Sequence, residues 1–149
     1  MIEFEDEQLH NAAQEGDQES VKQLLAAGSP IDVFDVIGKT PLHYAAENEN
    51  LEIMRILISA GANVNAYDER VIGNTPLREV ASNCSYEVAK LLIESGADPT
   101  IPGQMNLTAL HKAQCRKLPE GVMVKELLEE AARNPSKHKK RKKTREILT

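Results

Sequence analysis

The sequence predicts an all-α solenoid of about four stacked helix–turn–helix units, with short β-hairpin-like fingers between them. Three observations carry this prediction. Leu9, Leu42, Leu77 and Leu110 recur at intervals of 33, 35 and 33 residues. Gly28, Gly61 and Gly96 lie 33 and 35 residues apart, and Thr40, Thr75 and Thr108 lie 35 and 33 apart. One period shared by three residue types marks a repeat architecture. No single unit could bury its own apolar face, so the units must stack into one continuous core.

The elements follow the same order in each unit. In the second, Thr40-Pro41 precedes the small, apolar run Leu42-His43-Tyr44-Ala45-Ala46. Proline suits a first helical turn, where its missing N–H has no intrahelical partner, and the threonine before it suits an N-cap. Asn48-Glu49-Asn50 reads as a polar turn. Ile53, Met54, Ile56, Leu57 and Ile58 then recur at helical spacing as far as Gly61, a residue suited to a left-handed helix end. The first unit repeats the pattern with Val21, Leu24, Leu25 and Gly28, and the third with Val88, Leu91, Leu92, Ile93 and Gly96. Residues 32–39 and 65–74, which contain Gly38 and Gly73, read as extended or hairpin-like connections. In the fourth unit, Lys117-Leu118-Pro119-Glu120-Gly121 reads as a longer inter-helix turn, with a Glu-rich last helix over about 122–133 that ends before Asn134-Pro135. The expected repeats are about 5–34, 35–67, 68–102 and 103–134, within a repeat region of 1–135 followed by a basic segment, 136–149.

These units resemble the ankyrin repeat. Thr40-Pro41-Leu42-His43-Tyr44-Ala45-Ala46 matches that family's central motif, and Gly61-Ala62-Asn63-Val64-Asn65-Ala66 its second-helix exit. Thr75-Pro76-Leu77 and Gly96-Ala97-Asp98 repeat the match, and Thr108-Ala109-Leu110-His111 is a weaker copy. The resemblance covers roughly residues 8–134. Departures are specific. Glu7-Gln8 stands where Thr-Pro would begin the first unit, as suits a polar cap. Arg78 replaces the His43 position, and Val80 replaces Ala45, where its bulk calls for a local adjustment. The third unit's finger, residues 68–74, is two residues longer than its counterpart.

Composition narrows the function. No run approaches the ~18 apolar residues that span a bilayer, so membrane insertion is not expected. The acidic start Met1-Ile2-Glu3-Phe4-Glu5-Asp6-Glu7 does not read as a secretory signal. Cys84 and Cys115 fall in different units and read as reduced thiols, which places the protein in the cytoplasm, or the nucleus if its source is eukaryotic. The net charge of −5 conceals a divided chain. Residues 137–145 hold seven basic groups, and the region before them carries eleven basic against twenty-two acidic residues, a net −11. Such a body repels phosphate backbones and favours a basic or neutral partner. A nucleic-acid contact is therefore assigned only to the tail residues Lys137, Lys139, Lys140, Arg141, Lys142 and Lys143, which read as disordered. The tail is also open to reading as a solubilising or autoinhibitory segment, or as a localisation signal.

Nothing in the pattern points to catalysis or to a small-molecule substrate. His10, His43 and His111 share one repeat position, which in the ankyrin family serves the hydrogen bonding of the loop and helix start. On successive units they would not converge on one ion. No Cys/His spacing suits zinc, no glycine-rich loop suits a phosphate, and Cys84 has no basic neighbour in sequence. No cofactor is expected.

The resemblance implies a partner protein held by finger tips and by the concave face of the first helices. It assigns Phe34, Val36, Ile37, Lys39, Tyr44, Glu47 and Asn48 in the second unit. The third contributes Tyr67, Glu69, Arg70, Asn74, Ser82 and Asn83, and the fourth Gln104, Met105, Leu107 and Arg116. Val36-Ile37 and Val71-Ile72 put apolar residues in finger turns, where polar ones are usual. Phe34 and Tyr67 hold equivalent positions one unit apart. They read either as a binding hot spot or as a stacked pair that stiffens the fingers. The leading function is a protein-interaction module without catalysis. The alternatives are an inhibitor or immunity-type protein that blocks a partner enzyme, and a nucleic-acid-associated adaptor acting through the tail.

Overall fold

The computed structural model describes residues 7–135; the tail residues from Lys137 to Lys143 lie outside that range. Among the described residues eight α-helices are arranged as four pairs: α1 (Gln8–Glu15) with α2 (Gln18–Ala26), α3 (Pro41–Glu47) with α4 (Leu51–Ser59), α5 (Pro76–Val80) with α6 (Tyr86–Glu94), and α7 (Ala109–Gln114) with α8 (Pro119–Arg133). The first helices α1, α3, α5 and α7 pack in sequence, and α2, α4, α6 and α8 stack behind them. Among the described residues there is no β-strand.

Local chemistry explains these boundaries. Pro41 and Pro76 occupy the first turns of α3 and α5. The Thr75 and Thr108 hydroxyls accept from the backbone N–H groups of Arg78 and His111. Asp17, Asn50 and Ser85 cap the second helices in the same way. After α2, α4 and α6 the chain turns through Gly28, Gly61 and Gly96, whose φ values of +88°, +100° and +101° are open mainly to glycine.

The core repeats with the sequence. Leu9, Leu42 and Leu77 are buried at equivalent positions of α1, α3 and α5. Val21, Ile53, Met54, Leu57, Val88, Leu92, Ile93, Val124 and Leu128 fill the layer between first and second helices. Removing one such leucine would cost about 2–5 kcal/mol. Ala13, Ala45, Ala46, Ala81 and Ala113 are fully buried where the first helices meet, because small side chains let the backbones approach. Val80 takes the place of Ala45, and α5 is five residues long where α3 is seven.

The fourth unit differs from the sequence expectation. Pro119, Glu120 and Gly121 are not loop but the first turn of α8, so the inter-helix turn is shorter than expected. Pro119 starts the helix with φ already set. Gly121 reads as a helix breaker, yet a side chain there would lie 2.6 Å from Arg116 Cβ. It is a glycine because Arg116 lies against it.

Each finger is a tight turn without a strand ladder. In the first, Asp35 N–H donates to Lys39 O at 2.9 Å and Gly38 N–H to Asp35 O at 3.0 Å. In the third, Gly103 N–H donates to Leu107 O at 3.0 Å. The turns are hairpin-like in closure only.

Candidate functional site

At each joint a side chain of the first helix is bonded to carbonyls of the finger that follows. His10 Nε2 meets the carbonyl oxygens of Val33 at 2.7 Å and Lys39 at 3.0 Å. In the next unit, Thr40 N–H donates to His43 Nδ1 at 3.0 Å, so Nδ1 is the acceptor and Nε2 carries the proton. That Nε2–H donates to Asn74 O at 2.5 Å. Burial pushes the pKa of His43 down to about 4, so the ring is neutral at physiological pH. At the third joint Arg78 does the same work with a cation. Its Nε donates to Leu107 O at 2.6 Å and its Nη2 to Gln104 O at 3.1 Å. Burial lowers its pKa below the ordinary arginine value, but guanidinium stays charged in proteins. Gly103 makes room: a Cβ there would lie 2.2 Å from Arg78 Cζ. His111 repeats the Thr–His arrangement with Thr108 but is exposed, since no further helix pair follows among the described residues.

The concave face is closed by a polar network. Lys39 pairs with Glu47 and lies 3.7 Å from Glu79, tying the first finger to α3 and α5. Burial works against the Lys39 ammonium, but the two carboxylates outweigh it and hold its pKa above the usual value. Asn74 Nδ2 donates to Glu79 at 2.5 Å. The Tyr44 hydroxyl donates to Asp35, and Lys39 Nζ stands 5.5 Å from the Tyr44 ring centroid. Four sequence-assigned residues, Lys39, Tyr44, Glu47 and Asn74, are thus engaged within the groove. So is Asn48, whose amide donates to Gln14 O at 2.8 Å.

The finger tips are different. Val36 is 76% exposed, Ile72 63% and Met105 83%, with Ile37 and Val71 exposed beside them. A Cβ on Gly38 would lie 2.5 Å from Val71 Cγ2, so the first two tips touch. Ile72 and Met105 sit at φ +52° and +57°, a left-handed region costly for any residue but glycine and most costly for a β-branched one such as Ile72. Gly38 and Asn106 occupy that region at lower cost. Glu69 is exposed at this edge, and Arg70 forms a two-point pair with Asp68 through Nε and Nη2, both at 3.0 Å.

Phe34 and Tyr67 share a cleft of about 290 Å³ with Asn65 and Glu69. Among the described residues the rings that pack against each other are His10 and Tyr44, 6.1 Å apart and edge to face, so Phe34 and Tyr67 line one cleft without stacking. Asn83 and Arg116 stand apart from the tips, in the turns after α5 and α7. Arg116 Nη1 lies 3.9 Å from Cys84 Sγ, the basic neighbour that sequence did not show. Burial nevertheless raises the Cys84 pKa, and Cys115 is exposed. Among the described residues no cluster of His, Cys, Asp or Glu is placed to hold a metal ion, and no helix is long and apolar enough to cross a membrane.

The ankyrin-repeat family pattern, in three copies, matches residues 9–103. The chain belongs to the ankyrin repeat family. Ankyrin repeats are generally protein–protein interaction modules and typically non-catalytic. The matched span ends at the third finger, but α7 and α8 continue the stacking of the ankyrin repeats before them. A comparison with curated proteins finds no match.

Proposed function

We propose that this ankyrin repeat protein binds another protein through its finger tips, with the concave face as a rigid backing and no catalytic role. The observation that carries this reading is the row of exposed aliphatic side chains, Val36, Ile37, Val71, Ile72 and Met105, on three consecutive fingers. Exposed apolar side chains gathered in one patch mark an interaction surface far more often than scattered ones do. The internal network of Lys39, Glu47, Glu79, Asn74 and Tyr44 supports the same reading. It orders the fingers in advance, so association costs less conformational entropy. Phe34 and Tyr67, in their own cleft beside the ridge, extend the surface. The body's excess of carboxylates favours a partner with basic groups.

The test is site-specific photo-crosslinking in source-cell extract. A photoreactive residue is placed at position 37, 72 or 105, or at position 56 on an outer helix as control. One and the same protein captured from all three tips and not from the control is expected. Capture from the control alone would remove the finger tips from the interface.

A further inference from the structure

The exposed ridge has a chemistry and a period, and together they restrict what can lie along it. Resting on the partner-binding reading above, we propose that the ridge receives an amphipathic α-helix of the partner. That helix presents aliphatic side chains at about seven-residue intervals and carries Lys or Arg beside them.

The period comes from the stack. Each finger is pinned by a side chain of a first helix, through His10, His43 and Arg78, so finger spacing follows first-helix spacing. Packed helices lie about 8–10 Å apart, so the three tips are spaced in steps of about that size. An α-helix rises 1.5 Å per residue, so seven residues advance about 10.5 Å and return nearly to the same face. Aliphatic residues one heptad apart would therefore meet successive tips. An extended strand advances about 10 Å in three residues, but an odd step points the side chain to the opposite face. A polyproline II segment also keeps register, at about 9.3 Å per three residues. Its usual sites are aromatic-lined grooves, whereas this ridge is built of Val, Ile and Met with Tyr67 beside it.

Charge sets the second requirement. Residues 7–135 hold eleven Lys and Arg against nineteen Asp and Glu. At the ridge Glu69 is exposed, and the charge of Arg70 is matched by Asp68. A helix with basic residues flanking its aliphatic stripe complements this edge, and an acidic one is repelled. Met105, flexible and the most exposed of the five, adapts to whichever aliphatic side chain reaches the third tip.

The experiment uses the full chain and four synthetic peptides of about three heptads each. One has Leu in a heptad pattern flanked by Lys. Two have similar residues set for a strand, alternating Leu and Lys, or for polyproline II, with Pro between Leu. The fourth is the heptad peptide with Glu for Lys. Fluorescence anisotropy gives each affinity for the native chain and for the double variant Ile37→Asn, Ile72→Asn. Asn tolerates the left-handed φ, and a circular-dichroism melt checks that the variant folds. The basic heptad peptide should bind at least about tenfold more tightly than the other three and lose at least about tenfold in the variant. Equal binding of the acidic heptad peptide would overturn the charge requirement. Preference for the strand or polyproline peptide, with sensitivity to the double variant, would overturn the helix and leave the finger ridge as a binding surface. Indifference of every peptide to the two substitutions would sink the ridge as well. A ridge-dependent dimer in sedimentation would make the occupant a second copy and overturn the proposal.

Discussion

Replacing Arg78 by alanine should loosen one joint of the stack and leave the other two intact. The guanidinium makes two hydrogen bonds to finger carbonyls, Leu107 O and Gln104 O. A hydrogen bond from a charged donor contributes about 1.5–3 kcal/mol, which sets an upper range near 6. Both acceptors also receive backbone N–H groups, from Gly103 at 3.0 Å and Leu107 at 3.2 Å. The finger is at the surface, so water replaces part of the loss. We therefore expect Arg78→Ala to cost about 3 kcal/mol and lower Tm by about 6–12 °C. Gly103→Ala should cost a similar amount by itself, because its Cβ would displace the guanidinium. In the Arg78→Ala background it should cost clearly less, since the obstacle is gone and only the unfavourable backbone at φ −126°, ψ −145° still weighs against alanine. Urea unfolding of the four chains closes the cycle. Hydrogen exchange should place the lost protection in residues 103–133, because solenoid units interact with neighbours only. A cost under about 0.5 kcal/mol for Arg78→Ala, or full additivity of the two changes, would refute this account of the joint.

Three further outcomes follow from the same geometry. His43 has its folded pKa depressed to about 4 from the ordinary 6.5, so the unfolded chain binds more protons between those values and stability falls as pH falls through that window. Between pH 7 and pH 5 the loss should be roughly 2 kcal/mol, and urea midpoints of His43→Gln should show a flatter pH dependence there. Ile72→Asn replaces a β-branched residue at φ +52° with one that tolerates it; it should raise the melting midpoint by the equivalent of about 1 kcal/mol while weakening partner capture. Under native conditions a thiol reagent followed by mass spectrometry should label exposed Cys115 promptly and buried Cys84 only on unfolding; equal labelling would contradict the burial of Cys84.

Much of the fold was legible because its determinants are local and repeated. The Thr-Pro starts, the helical apolar spacing and the glycine ends each lie within a few residues, and the structure places helices accordingly. Arg78 stood out only as a departure from the histidine position. Its shared role emerges from carbonyls 26 and 29 residues away. The start of α8 was missed because Gly121 signals a break by propensity, while its reason is the approach of Arg116 from outside the helix. The candidate site was legible at the tips, where Val36, Ile37 and Met105 are conspicuous by polarity alone. It was not legible in the groove. Lys39, Glu47 and Glu79 look like separate solvated charges along the chain, and only stacking makes them one network.

The left-handed backbone at Ile72 also has a consequence over generations. Asparagine or glycine at that position would relax the chain, so random substitution pulls it towards those residues wherever nothing opposes the change. Lineages that lose the partner should drift there early, at a site where folding alone would welcome the change. Related chains that keep a branched or bulky aliphatic residue at that tip would then be the ones still under selection for the same surface, which makes one backbone angle a marker for sorting functional descendants from relics.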